Sequence, residues 1–236
     1  MSPLATPRLY ALVPCAGVGA RAGTGLPKQY TLLAGQAVVA HTLQALQAVT
    51  RLAATLVVLS PDDDLFERHA PSFEGARAWV ARCGGASRAL SVLHGLAALR
   101  ERGVRDHDWV LVHDAARCLL RPAWVERLID ACLGDTVGGL LALPLADTLK
   151  QSSHGRVDTT LDRQAKWLAQ TPQMFRLGML HQALVEGLAG RADITDESSA
   201  VEALGHAPLL VPGEAENFKL TWPADFALAE RLLETR

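Results

Sequence analysis

Two cations share one glycine-rich loop near the start of this chain. Pro14-Cys15-Ala16-Gly17-Val18-Gly19-Ala20-Arg21 runs on through Gly23 and Gly25 to Pro27-Lys28-Gln29. Glycines lack the Cβ that would hold a ligand off, so backbone N–H groups can approach a polyphosphate closely. Arg21 and Lys28 add the fixed positive charge a triphosphate needs as negative charge shifts toward a departing pyrophosphate. A G-x-G by itself is a weak signal, and a plain strand-to-helix turn is its bland explanation. The dinucleotide fingerprint is incomplete: position 22 is alanine, and the second strand runs into Ser60-Pro61 before any acidic residue. Phosphate binding therefore outranks NAD binding.

A second group follows the apolar segment Trp109 to Val112: His113-Asp114-Ala115-Ala116-Arg117. In open parallel sheets, ligands sit beyond the carboxyl ends of strands, which is where Asp114 falls. A carboxylate there can help hold Mg²⁺ against a triphosphate, because Mg²⁺ takes one or two carboxylates plus phosphate oxygens. The competing reading is a helix cap or a salt bridge to Arg117; the glycine loop tips the balance to a site. His113 reads as structural. Gly84-Gly85 with Arg88 and Ser91 suits a base or ribose pocket at a helix start, or simply a capped turn. Lys219 is by default a solvated lysine, though it stands among apolar residues at an expected strand end. Thr171-Pro172-Gln173 and Ile194-Thr195-Asp196-Glu197 read as turn and cap chemistry, and Met174 and Phe175 as core.

Short apolar runs alternate with helical periods, the pattern of parallel strands with crossover helices. Strands are expected at Leu9 to Pro14, Leu56 to Leu59, Ala78 to Val80, Trp109 to Val112, Leu140 to Leu143 and Leu209 to Val211. Between them fall helices over Gln36 to Val49, after Ser87, from Pro122, from about Arg176, after Thr195 and after Pro223. The polar stretch 147–170 breaks the rhythm and reads as a β-hairpin arm centred near Gly155. One domain over residues 1–236, carrying that arm, is the economical organisation.

The bulk numbers fit. A chain of 236 residues can bury one substantial core, and 49% hydrophobic residues exclude general disorder. No apolar run reaches the roughly 20 residues of a membrane span, and the first residues carry no export pattern, so a cytoplasmic setting is expected. The four cysteines are widely spaced, as expected for reduced thiols. A net charge of −2 argues against a general nucleic-acid surface, so positive charge for anionic substrates must be gathered locally.

Taken together, these segments resemble the 2-C-methyl-D-erythritol 4-phosphate cytidylyltransferase family. The likeness runs in order through Pro14 to Gln29, Gly84-Gly85 with Arg88 and Ser91, His113 to Arg117, Asp147-Thr148, Asp162-Arg163, Thr171 to Gln173, Thr195 to Glu197 and Asn217 to Thr221. It implies a Rossmann-like, glycosyltransferase-A-like nucleotide-sandwich α/β fold, and a homodimer whose β-arms cross between subunits. It also implies joining of CTP and methylerythritol phosphate with Mg²⁺, releasing pyrophosphate, in non-mevalonate isoprenoid precursor biosynthesis. By the same resemblance Arg21, Lys28 and Lys219 are catalytic cations. Ala16, Gly17, Gly19, Gly85, Arg88 and Ser91 line the CTP site. Asp114, Arg117, Thr148, Arg163 and Thr195 contact the acceptor, Asp114 being also the metal ligand and Thr148 and Arg163 coming from the partner's arm.

An acceptor phosphate is already an anionic nucleophile, so alignment and charge neutralisation suffice and no general base is demanded. Three positions depart from the family pattern: Cys15 for alanine, Cys118 for proline, and Trp222 where a basic residue is frequent. No fused cyclase domain is expected after the last helix. The alternatives are a cytidylyltransferase for another polyol phosphate such as ribitol 5-phosphate, a nucleotide-binding regulator without catalysis, and an NAD-dependent oxidoreductase that leaves Lys28 and Lys219 without a task.

Overall fold

The structure is a computed structural model that describes residues 6–17, 26–190 and 193–235. Gly19 and Arg21 lie outside the described residues.

The chain opens with β1 (Leu9–Pro14), a 3-10 turn at Lys28–Tyr30, the short pair β2 (Leu32–Leu33) and β3 (Gln36–Ala37), and α1 (Val38–Gln47). Next come β4 (Leu52–Val58), α2 (Phe66–His69), β5 (Ala78–Ala81), α3 (Arg88–Glu101), β6 (Trp109–Val112), α4 (Pro122–Cys132) and β7 (Gly138–Pro144). The hairpin β8 (Leu149–Ser153) and β9 (Arg156–Leu161) follows, then β10 (Trp167–Arg176), α5 (Leu177–Ala189), α6 (Glu197–Ala203), β11 (Leu209–Pro212) and α7 (Pro223–Glu234).

Seven strands form one sheet in the order β11-β7-β10-β6-β1-β4-β5. All its pairings are parallel except the two made by β10. Helices cover both faces, so β1 and β6 at its centre are near-continuous apolar runs. Leu9, Ala11 and Val13 of β1 point into one core with α1 and α4, while Tyr10 and Leu12 point into another with α3, α5 and α6. In β6, Trp109 and Leu111 join the first core, Val110 and Val112 the second. Period-two alternation thus feeds two hydrophobic layers from one strand.

The β10 strand corrects the sequence reading. Thr171-Pro172-Gln173, expected as a turn, crosses the middle of the sheet. Proline has no N–H for a ladder, and the register of β10 on β7 slips between Ala169 and Gln173. That interruption hides the strand from pattern reading and frees the Gln170 and Thr171 side chains to face the strand ends. The β8–β9 hairpin turns through His154 (φ 50°) and Gly155 (φ 74°), the paired positive φ of a type I′ turn. Its residues are almost all exposed. Lys219 is likewise not at a strand end. It lies in an irregular segment between β11 and α7, stitched down by the Leu220 amide donating to the Ala116 carbonyl at 2.9 Å.

Candidate active site

The carboxyl ends of β1 and β6 and the start of α3 enclose a cavity of about 480 Å³. Its walls include Ala16, Gly17, Lys28, Gly85, Arg88, Ser91, Asp114 and Lys219. Residues separated by two hundred positions in sequence are gathered here, as expected for ligands beyond strand ends.

The start of the glycine loop, Cys15 to Gly17, is held by one buried side chain. Buried Gln29 donates through Nε2 to the carbonyls of Cys15 (3.2 Å) and Gly17 (2.9 Å). At Gly84 a Cβ would fall 2.3 Å from Ala16 Cβ and 2.8 Å from the Leu59 carbonyl, so glycine is needed for the two loops to meet. Ser87 caps α3, its Oγ accepting from the Leu90 amide at 3.1 Å. Ser91 Oγ accepts from the Gly85 amide at 3.0 Å and donates to the Ser87 carbonyl at 2.9 Å. Ser91, a sequence candidate for the nucleotide pocket, thus shapes the Gly85 turn.

Asp114 is the electrostatic centre. Its Oδ1 accepts from Arg88 Nε at 2.8 Å, and its Oδ2 lies 2.9 Å from Lys219 Nζ and 3.7 Å from Arg117 Nε. Burial works to raise the Asp114 pKa, but the charges of Arg88, then Lys219 and Arg117, outweigh it and hold the carboxyl far below the usual carboxylate range. Arg88 also forks onto Glu197, at 2.6 and 3.0 Å. Burial pulls the Arg88 pKa down, yet Glu197 and Asp114 together raise it, so the guanidinium stays charged. Lys28 Nζ donates to the Leu220 carbonyl at 3.1 Å, which ties the glycine loop to the residue following Lys219.

His113 is fully buried, and burial pushes its pKa down to about 4 despite the nearby Asp114 charge. Its Nε2 lies 3.2 Å from the Arg117 carbonyl and its Nδ1 3.0 Å from Thr171 Oγ1. A carbonyl only accepts, so the proton of the neutral ring belongs on Nε2 and Nδ1 accepts from the threonine hydroxyl. The structural reading of His113 holds.

Several expected site residues are not in this cavity. Arg117 does not line it; its Nη1 donates to the Asn217 carbonyl (2.7 Å) and its Nη2 to the Ala169 carbonyl (3.3 Å), bracing the loops on either side. Thr195 lines a smaller neighbouring cavity, about 220 Å³, that shares Ser87 and Arg88. Thr148 is exposed. Arg163 donates to the Ala146 carbonyl at the foot of the hairpin, beside a separate surface depression. Among the described residues no group of three or more His, Cys, Asp or Glu is gathered. Asp114, the expected metal ligand, has Oδ1 on Arg88 and Oδ2 on Lys219, so any metal here would be held chiefly by phosphate oxygens.

Sequence reasoning missed Glu197, Gln173 and Asn217 as parts of the site's frame. Asn217 Nδ2 donates to the Thr171 carbonyl at 2.8 Å and to Gln170 Oε1 at 3.1 Å. The three departures from the family pattern differ in their surroundings. Cys15 and Cys118 are buried, Cys118 among Leu33, Val38 and Leu220, and Trp222 is 59% exposed at the start of α7.

The sequence profile of IspD, 2-C-methyl-D-erythritol 4-phosphate cytidylyltransferase, matches residues 9–235. A bifunctional enzyme IspD/IspF of Albidiferax ferrireducens is 61% identical over 98% of this chain, which spans 54% of that relative's length. The 2-C-methyl-D-erythritol 4-phosphate cytidylyltransferase of Burkholderia cenocepacia is 53% identical, with 97% of each chain covered. A crystal structure of a 4-diphosphocytidyl-2C-methyl-D-erythritol synthase superposes with a TM-score of 0.85 at 40% identity, covering 97% of this chain and 99% of the other. With sequence and fold in agreement from β1 to α7, the chain belongs to the 2-C-methyl-D-erythritol 4-phosphate cytidylyltransferase family and is a nucleotidyltransferase.

Proposed function

We propose that this chain transfers CMP from CTP to 2-C-methyl-D-erythritol 4-phosphate in the cavity around Asp114, releasing pyrophosphate. The observation that carries the reading is the convergence of Lys28, Arg88 and Lys219 on one cavity walled by the backbone of Ala16, Gly17 and Gly85. Cations outnumber carboxylates there, although the whole chain carries a net charge of −2. Such a cavity suits a polyphosphate and a second phosphate brought close together.

In this reading Ala16, Gly17, Gly85 and Ser91 frame the cytidine end, and Arg21 and Lys28 neutralise the triphosphate. An oxygen of the acceptor phosphate attacks the α-phosphorus. The new P–O bond forms as the α–β bridging bond breaks, and the electron pair leaves on pyrophosphate. Lys28 and Lys219 meet the charge that grows on either side of the α-phosphorus. Bound Mg²⁺ would supply further neutralisation, carried by the phosphate oxygens with Asp114 alongside. His113 takes no proton, being neutral and enclosed.

The acceptor's remaining contacts are Arg117, Thr195 and, from the arm of a partner in a homodimer, Thr148 and Arg163. Supporting the dimer are the exposed Val157, Leu161, Trp167 and Leu168 on and beside the hairpin. The test is pyrophosphate release with Mg²⁺ and CTP, comparing methylerythritol phosphate with ribitol 5-phosphate. Release with the first and little with the second is expected; the reverse preference would overturn the acceptor assignment.

A further inference from the structure

Glu197 is 1% exposed and does not line the cavity around Asp114, yet its carboxylate holds the guanidinium that does. Its own position is fixed from two sides. Asp196 caps α6, its Oδ1 accepting from the Ser199 amide at 2.9 Å. Gln173 of β10 clamps the same turn, Nε2 donating to Asp196 Oδ2 at 2.8 Å and Oε1 accepting from the Ser198 amide at 2.7 Å. Glu197 therefore presents its carboxylate to Arg88 from a turn that is anchored to the central sheet.

A guanidinium is a planar fork, and its two Nη groups form one edge that matches a carboxylate. Glu197 occupies that edge, which leaves Arg88 only Nε for Asp114 Oδ1. Oδ2 of Asp114 then remains for Lys219. With Glu197 neutralised, Arg88 would be a largely buried cation with Asp114 as its remaining ion-pair partner. The fork would turn to take both oxygens of Asp114, because an unpaired buried charge is costly. The Lys219 ammonium would lose its anchor.

We propose that Glu197 is a positioning residue for Lys219: it occupies the Arg88 fork so that Asp114 keeps one oxygen to hold the Lys219 ammonium at the wall of the cavity. This inference rests on the reaction proposed above, but one of its two tests does not need turnover.

The first test is reductive methylation of lysines in the folded chain, followed by mass spectrometry. Lys219 in Glu197→Gln should label several-fold faster than in the unaltered chain, while exposed Lys150 and Lys166 keep their rates. An unchanged Lys219 rate would overturn the proposal. The second test is a double-mutant cycle on pyrophosphate release. Glu197→Gln should lower kcat about tenfold, whereas in a Lys219→Ala background the same change should cost less than about twofold, since residues acting through one network are not additive. Equal losses in both backgrounds would mean a merely structural role and overturn the proposal. Glu197→Asp keeps the buried charge while withdrawing the bidentate grip. It guards against misfolding and should show the same pattern with smaller amplitude. Accelerated Lys219 labelling in a chain that never releases pyrophosphate would uphold the positioning and overturn the reaction.

Discussion

The Thr171 hydroxyl lies 3.0 Å from His113 Nδ1 and also accepts from the Asp114 amide at 3.1 Å. One side chain from the antiparallel strand β10 therefore fixes two successive residues at the end of β6. Thr171→Val keeps the shape and removes the hydroxyl. It leaves a buried ring nitrogen and a buried amide without partners, at a cost of about 1–3 kcal/mol each. For a chain of this size each kcal/mol should lower Tm by about 2–4 °C. Turnover should fall as well, because the Asp114 backbone loses its tether. Thermal melts and pyrophosphate assays on the same preparation check both, and unchanged turnover would show that the tether does not matter to the site.

His113 gives the protein an acid-side weakness. Its folded pKa is pushed down to about 4 from an ordinary value of 6.5, so the unfolded chain binds the proton first. Stability is then full above about pH 6.5 and declines as pH falls toward 4, with up to about 3 kcal/mol at stake. The depressed pKa of Asp114 contributes stability that stays whole above about pH 5 and is lost only as pH falls through the ordinary carboxylate range and below. Between pH 7 and pH 5 it therefore does not change the slope. His113→Gln, which cannot titrate, should lose less Tm between pH 7 and pH 5 than the unaltered chain does. Parallel curves for the two would remove His113 as the source.

Much of this arrangement is legible in the sequence, and the illegible part has a physical cause. The apolar runs of β1 and β6 declare themselves because both faces are buried, and the residues that follow them become the site. The strand β10 does not, because Pro172 interrupts its pattern where Thr171 must turn toward Asp114. Glu197 reads locally as a first-turn acid after an Asp cap, which it is. Its ion pair with Arg88 spans a sequence distance that no local pattern encodes. The Asn217 to Thr221 segment looks like a strand end, yet its amides and carbonyls pair with Ala116, Arg117 and Lys28 instead of with a ladder.

The contact between Gly84 and Ala16 makes a backbone prediction. A methyl at position 84 cannot fit without moving Ala16 or the Leu59 carbonyl. Moving Ala16 distorts the loop proposed to receive the nucleotide. Gly84→Ala should therefore raise the KM for CTP by roughly tenfold, an effect expected when a small displacement spoils alignment. The acceptor KM should change little. A KM shift confined to the acceptor would place Gly84 in a different part of the cycle.

Lys28 joins the loop to the segment carrying Lys219 and should matter chiefly in the transition state. Lys28→Ala removes one charge-stabilising contact, typically about 3 kcal/mol, so kcat should fall by a factor of a hundred or more. The fold should persist, because Lys28 is only partly buried at the edge of the cavity. Steady-state kinetics with a melt as control decides it; near-normal kcat in folded protein would remove Lys28 from the proposed chemistry.

Arg163 and Thr148 stand on the foot of the hairpin and not in the cavity of their own chain, which is the arrangement an exchanged arm requires. Arg163→Ala and Lys28→Ala should each be nearly inactive alone. Mixed after reversible dissociation, they should form, on the homodimer proposed above, mixed dimers in which one cavity has an intact Lys28 and faces an intact Arg163 from the other subunit. Such sites amount to roughly a quarter of the total in a random equal mixture of a two-fold dimer. Activity should rise from near zero toward that fraction as mixing proceeds. If the mixture stays silent while heterodimers are demonstrated by mass, Arg163 serves its own subunit or no site at all, and the arm's role in acceptor binding falls with it.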